Sequence, residues 1–470
     1  VGAIFSLANP FSGAVKMSRQ KHLKPKYKRP SKTKVRKYLN MDAMLSALSQ
    51  GFSSLPDPRR GRVEISLPDT LMSGFAMFSL KDPSLLAFDE RRSNDGNLAR
   101  IFGIDKVPSD TQMREILDLV DPQLLRPMFN DIFRQLQRGK ALEPMVYFDK
   151  CYLLSIDGTG SFSSEKLSSS SCMEKKSRSG KVTYYQQVLG AAIVHPDLKE
   201  VIPLAPEMIR HQDGSKKNDC ERNATKRFLR KLRQEHPHLP LIVVEDALSA
   251  NGPHLRDLKQ HNMHYIIGVK PGDHPLLFHH LEHGTKNAVA TTHSMEDPKN
   301  KKITHEFRFL NDVPLNKSNP GLKVNVIDYW QHCEGKKSIH FSWITDFEIT
   351  EDNVYTLMRG GRARWKIENE TFNTLKNQGY HFEHNFGLGK KHLSEVFVML
   401  MMLAFLVDQT QQLTSALFQS VWKKFRTKRS LWENMRNLFY IFELDSMEML
   451  YTALLNGYRQ PRPEILNADP

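Results

Sequence analysis

Residues 153–160 read LLSIDGTG, an apolar run that meets a carboxylate at Asp157 and a glycine at Gly158. A short apolar run bounded by turn signals reads as a strand buried on both faces. Asp-Gly is also a common turn dipeptide, because glycine tolerates positive φ and aspartate bonds to nearby backbone. The strand is therefore expected to stop at Asp157. Whether that aspartate only turns the chain or also reacts depends on what surrounds it.

Downstream, YYQQVLGAAIV (184–194) and VIPLAPEMI (201–209) read as two more strands, near enough in sequence to form an antiparallel meander with the first. A helix is expected to open at Asn218, with Glu221 at the spacing of a capping box, and to run through CERNATKRFLRKLRQEH (220–236). The strand LPLIVVED (239–246) follows, then a helix entered near Ser249 and Asn251 with Pro253 in its first turn, then the strand HYIIGVK (264–270). Three strands, helix, strand, helix, strand is the order of an α/β, ribonuclease H-like core.

Residues 271–350 carry HEFRFL, VNVIDYW and SIHFSWIT with little helical period, and read as a β-rich insertion. Helical sequence resumes over 353–377 and 391–413. Upstream, 41–140 reads as short helices; in PSDTQMREILDLV, Ser109 and Gln112 form a capping box behind Pro108. The chain thus divides into a basic arm (1–40), a helical N-terminal domain expected to bind DNA (41–140), a core in two parts (141–270 and 351–420) around the insertion (271–350), and a basic tail (421–470).

The 470 residues, 40% of them hydrophobic, suffice for a large core and two to four domains. The formal charge is +15, and residues 16–37 alone carry eleven Lys and Arg without an acidic residue, leaving about +4 for the rest. Such an arm seeks a polyanion, with counterion release from nucleic acid the usual driving force. Four cysteines without a CxxC pair fit a reducing compartment. The opening VGAIFSLANPFSGAV lacks a basic segment before it and is not expected to be a signal peptide; Met17 is a candidate start. The apolar run 396–407 is shorter than the ~20 residues of a membrane span and reads as a buried core helix, with no membrane partner expected.

If the strands ending at Asp157 and Asp246 lie side by side, their carboxylates meet at the sheet edge where ligands of open α/β sheets bind. The plain alternative for Asp246 is a capping or turn residue. Glu245 should face away from that site, because side chains alternate along a strand. A third carboxylate lies in RARWKIENETFNTLKN (362–377). At about 100° per residue, Trp365, Ile367, Phe372 and Leu375 share a face centred about 35° from Arg364. Glu368 falls in the middle of that face and Glu370 on the opposite side. A carboxylate buried there needs a cationic partner, a metal ion or a raised pKa, and Arg364, one turn earlier, is the simplest partner. Two Asp and one Glu from separated segments suit Mg²⁺ or Mn²⁺, and two such ions support phosphoryl transfer.

Through SIDGTG, VVEDA and RARWKIENETFNTLK, residues 150–410 resemble the DDE transposases of bacterial insertion sequences, in particular the large cut-and-paste group with a β-strand insertion before the catalytic glutamate. The resemblance implies that Asp157, Asp246 and Glu368 form a catalytic triad holding two Mg²⁺ or Mn²⁺ ions. It implies water-driven cleavage at terminal inverted repeats, attack of the freed 3′-hydroxyl on target DNA, a homodimeric synapse, and a bacterial cytoplasmic, nucleoid-associated location. The gaps of 89 and 122 residues between the three carboxylates leave room for the insertion in the second. Of the group's motif Tyr-x2-Arg-x3-Glu-x6-Lys, Arg364 and Glu368 keep their spacing, Gly361 replaces the tyrosine, and Leu375 replaces the lysine with Lys376 one residue late.

Arg364 and Lys376 are DNA-contact candidates from that motif, and Arg222, Lys226, Arg230 and Arg233 recur at helical spacing as a basic stripe or a solvated face. WKKFRTKRSLW (422–432) either tracks DNA or docks on its own domain. His381, Glu383 and His384 show no third zinc ligand, and GLGKK (387–391) lacks a full phosphate-loop pattern. Two other functions stay open: a transposase-derived DNA-binding protein that does not cut, and a ribonuclease H-like metal-dependent nuclease.

Overall fold

A computed structural model describes residues 38–457 apart from 93–94, 170, 211–212 and 214–216, so the basic arm at 16–37 lies outside the described residues. The centre is a mixed sheet of eleven strands among the described residues: β1 (Tyr152–Ser164), β2 (Met173–Lys176), β3 (Val182–Val194), β4 (Ile202–Pro203), β5 (Glu207–Ile209), β6 (Leu241–Glu245), β7 (His264–Gly268), β8 (Thr291–Glu296), β9 (Ile303–Asn316), β10 (Asn319–Cys333) and β11 (Ile339–Thr345). Their order is β2-β3-β1-β6-β7-β11-β10-β9-β8, with β4 and β5 on β3. β1 is antiparallel to β3 but parallel to β6, which is parallel to β7. Every residue of β6, LIVVE, is buried, as expected of a parallel strand covered on both faces.

One strand expectation changes. β1 does not stop at Asp157: it continues to Ser164 with Gly158 extended, and the irregularity falls at Gly160–Phe162. Continuous pairing with β3 carries the chain through an Asp-Gly that local chemistry would spend on a turn. The stretch 271–350 carries four strands, β8 to β11. It begins with a helix, and its strands prolong the central sheet, because β11 pairs with β7 from Trp343 opposite Gly268 to Thr345 opposite Ile266.

Before the sheet lie α1 (Met41–Ser53), α2 (Leu67–Ser79), α3 (Leu85–Asp89), α4 (Gly96–Phe102), α5 (Asp110–Leu117) and α6 (Arg126–Arg138). Ser109 and Gln112 cap α5 reciprocally, as the sequence indicates. Within and after the sheet come α7 (Lys217–Glu235), α8 (Gly252–Gln260), α9 (Pro275–Lys286), α10 (Glu351–Arg362), a π-helical stretch Ile367–Phe372, α11 (Asn373–Asn377), α12 (Leu393–Thr414), α13 (Ala416–Lys424), α14 (Lys428–Ile441) and α15 (Met447–Asn456). α7 begins at Lys217, one residue before the expected start at Asn218.

α12 is the axis of the helical part. Its 22 residues are long and apolar enough to cross a membrane by length and composition, yet its most apolar window is wholly buried inside the protein. The helix outruns the apolar segment seen in the sequence because its polar end is also buried and bonded. Gln411 donates to Leu39 O at 2.7 Å, Gln409 accepts from Val201 N–H at 3.0 Å, and Asp408 pairs with the buried Lys81 ammonium and the Tyr380 hydroxyl. At its start, the Asp118 carboxylate, just past α5, accepts the N–H groups of Lys390, Lys391, His392 and Leu393 at 2.9–3.1 Å. Burial works to raise the Asp118 pKa, but those four amides win and hold it below the usual range. The GLGKK loop therefore wraps the chain's own carboxylate.

The C-terminal segment docks on the chain itself. Trp432 is 1% exposed and donates its indole N–H to Gln378 O at 2.9 Å, and the Lys428 ammonium lies 3.3 Å from the centre of the Trp422 ring. One apolar core runs from Leu39 to Leu454, so the N-terminal and C-terminal helices share it with the sheet.

Candidate active site

β6 pairs with β1 only as far as Ser155, opposite Val244, so beyond the end of β6 one flank of β1 is open. Asp157 lies on that freed flank. Its Oδ1 accepts the Gly158 N–H at 2.8 Å, and its cross-strand partner is Gly190 on β3. Gly190 has a steric reason: a Cβ there would sit 2.6 Å from Phe372 Cε1. The bare backbone lets Phe372 lie against the sheet, which docks the π-helical stretch carrying Glu368 beside Asp157.

Arg364 joins the two acids. Its Nη1 is 2.6 Å from Glu368 Oε1 and 3.2 Å from Asp157 Oδ2. Its own carbonyl accepts the Ser155 hydroxyl at 3.0 Å, which pins the break between α10 and the π segment onto β1. Burial and the nearby Glu368 carboxylate, only partly offset by Arg364, push the Asp157 pKa up to about 7.

The uniform helical wheel misplaces Glu368. Its side chain is 40% exposed, and Trp365, counted among the apolar face, is 50% exposed. A turn at Ala363–Arg364 and the wider π turn after Ile367 break the 100° step, so Ile367, Phe372 and Leu375 stay buried while Glu368 reaches the rim. The expected pairing with Arg364 is present. The replaced tyrosine has a local cause as well: a Cβ at Gly361 would lie 2.6 Å from Trp343 Nε1, so the indole fills that space.

Asp246 follows β6 directly. It is exposed and caps the turn Ala247–Ser249, accepting Leu248 N–H at 2.9 Å, so the capping role is real. It also lines, with Asp157, an open cleft with about 230 Å³ of water-accessible space. Glu221 and Lys226 of α7 and His254 of α8 complete the walls. Glu221 packs against β1 at Gly158, where an added Cβ would meet its Oε2 at 3.1 Å. Sequence reasoning gave Glu221 only a capping role; its place on a helix that packs on the sheet was the available signal. Glu245, expected to avoid the site, belongs to the cleft wall, bonded through Oε2 to His254 Nε2 at 2.5 Å. Burial lowers the His254 pKa, but the Glu245 carboxylate outweighs it and the net shift is upward.

Asp157 therefore shares the cleft lining with Asp246 and is tied to Glu368 through Arg364. Among the described residues no three His, Cys, Asp or Glu side chains gather closely enough to hold a metal ion. The donor chemistry nevertheless fits a hard divalent cation: two carboxylates converge on one positive charge, and here the Arg364 guanidinium is that charge.

Of the expected DNA contacts, Lys226 and Arg230 are exposed on α7, and Arg222, also exposed, reaches Leu248 O at 3.4 Å, with Arg222 and Lys226 lining the cleft. Arg233 does not continue the stripe: it donates to the carbonyls of His236, Pro237 and Leu239 below α7. Lys376 is paired with Glu383 at 2.8 Å, which also withdraws Glu383 from any site with His381 and His384.

Fold and site together define a mixed α/β protein whose sheet presents paired carboxylates beside a cleft with basic residues in its wall. Residues 177–406, just under half of the chain, match the family model described as transposase DDE domain. The matched region contains Asp246 and Glu368 and begins after Asp157. No curated protein matches the chain. Among solved structures, the cryo-electron microscopy structure of a piggyBac transposase synaptic complex with hairpin DNA is similar, with a TM-score of 0.38 and 12% identity over 87% of this chain and 85% of that one.

Proposed function

We propose that this protein is a DNA transposase of an insertion sequence, with a ribonuclease H-like core, a β-rich insertion before its glutamate, and Asp157, Asp246 and Glu368 as its catalytic carboxylates. The observation that carries this reading is the coincidence of a transposase DDE family match with Asp157 and Asp246 on one cleft and Glu368 tied to Asp157 through Arg364.

In the proposed reaction, water attacks a phosphodiester at each transposon end and leaves a free 3′-hydroxyl, which then attacks a phosphodiester of target DNA. Two bound Mg²⁺ or Mn²⁺ ions would supply the Lewis acidity for both in-line displacements. Asp157, Asp246 and Glu368 would hold those ions by their carboxylate oxygens. Lys226, Arg222 and Arg230 hold the DNA backbone along α7, leaving base readout to other parts of the chain. A homodimer would bridge the two ends, acting in the bacterial cytoplasm at the nucleoid.

The test is strand cleavage and joining. With Mg²⁺ or Mn²⁺, purified protein should nick DNA bearing the element's terminal inverted repeats and join pre-cut ends to a target plasmid. Asp157→Asn should abolish both; undiminished cleavage by that variant removes the triad assignment. Nicking without joining identifies a nuclease, and end binding without cleavage identifies a transposase-derived binding protein.

A further inference from the structure

Arg364 takes the place between Asp157 and Glu368 that a cation needs. One nitrogen, Nη1, serves both acids, and the Arg364 side chain is only 14% exposed. Charge-assisted bonds of this kind are among the stronger polar contacts, so an ion arriving between the acids must break them. The same contact ties Asp157 to Glu368. Arg364 also sits at the turn between α10 and the π segment, and its guanidinium carbon is 5.6 Å from the centre of the exposed Trp365 ring.

We propose that Arg364 is an internal stand-in for the metal, a latch that keeps the site silent until DNA draws it away. A backbone phosphate gives the guanidinium another bidentate partner. DNA then tightens ion binding, and by linkage the ion tightens DNA binding by the same factor. The inference rests on the proposed active site, and its experiment separates the two.

Mn²⁺ binding is measured by electron paramagnetic resonance on the full chain, with and without a short blunt DNA duplex, for wild type, Asp157→Asn, Arg364→Gln and Arg364→Lys. Circular dichroism confirms that each variant folds. Wild type should bind Mn²⁺ weakly alone and about tenfold more tightly with DNA, within the usual range of coupling between sites. Arg364→Gln should bind tightly without DNA and gain little from it, and Arg364→Lys, which keeps the charge but not the fork, should fall between. Mn²⁺ binding unaffected by Asp157→Asn overturns the active-site assignment itself. Binding that depends on Asp157 but is unchanged or weakened in both Arg364 variants overturns only the latch.

Discussion

Removing the charge of Asp157 should stabilise the metal-free protein while destroying its activity. The folded carboxyl titrates near 7 against an ordinary value of 3.8, a gap of about three pH units. At about 1.4 kcal/mol per unit, ionised Asp157 costs the folded state up to about 4 kcal/mol. The side chain is 22% exposed, and water reaching it relaxes part of that, so about 2 kcal/mol is the working figure. Because the raised pKa belongs to the folded state, that state holds an extra proton between about pH 4 and 7, and stability falls as pH rises through this window. Asn imitates the protonated acid. Urea unfolding in EDTA should therefore show Asp157→Asn level with wild type near pH 4 and more stable by about 2 kcal/mol at pH 8. Saturating Mn²⁺ should close the gap by stabilising wild type. A variant whose stability runs parallel to wild type from pH 4 to 8 would falsify the claim that Asp157 is a strained carboxylate.

Other substitutions probe the supports of the site. Gly190→Ala should cost about 1–3 kcal/mol in urea unfolding and lower cleavage, because Phe372 must leave the sheet and take Glu368 with it. Asp408→Asn strips the buried Lys81 of its carboxylate and should cost about 3–5 kcal/mol, the range for breaking a buried ion pair; no loss would mean that Lys81 is neutral in the fold. Lys226→Ala with Arg230→Ala should reduce the slope of log affinity against log salt for DNA by about 2, measured by fluorescence anisotropy, and leave the slope unchanged if α7 faces only solvent.

The parts of the fold written in local sequence were legible: the buried β6, the Asn251 cap of α8, the reciprocal cap of α5 and the core position of α12. Asp157, Asp246 and Glu368 could be picked out because each is a carboxylate at an awkward place in an apolar pattern. What could not be read depends on distant partners. β3 holds β1 straight through Asp157-Gly158, against the local turn preference. The π turn at Ile367 shifts Glu368 out of the face that a uniform wheel gives it. Glu221 reaches the cleft because Gly158 admits its carboxylate, and neither residue announces the other. Strand pairing of β11 with β7 likewise lies 75 residues beyond any local signal, as Trp343 opposite Gly268 shows.

The Asp118 carboxylate also limits how this chain can be cut into pieces. It closes the start of α12 from a position 272 residues before Lys390, across the whole sheet in sequence. A fragment trimmed to begin near β1 would keep Asp157, Asp246 and Glu368, yet leave the amides of residues 390–393 without their acceptor and the flank of α12 that packs on α2 bare. A fragment that kept only the segments around these three acids would expose part of the core that the whole chain buries.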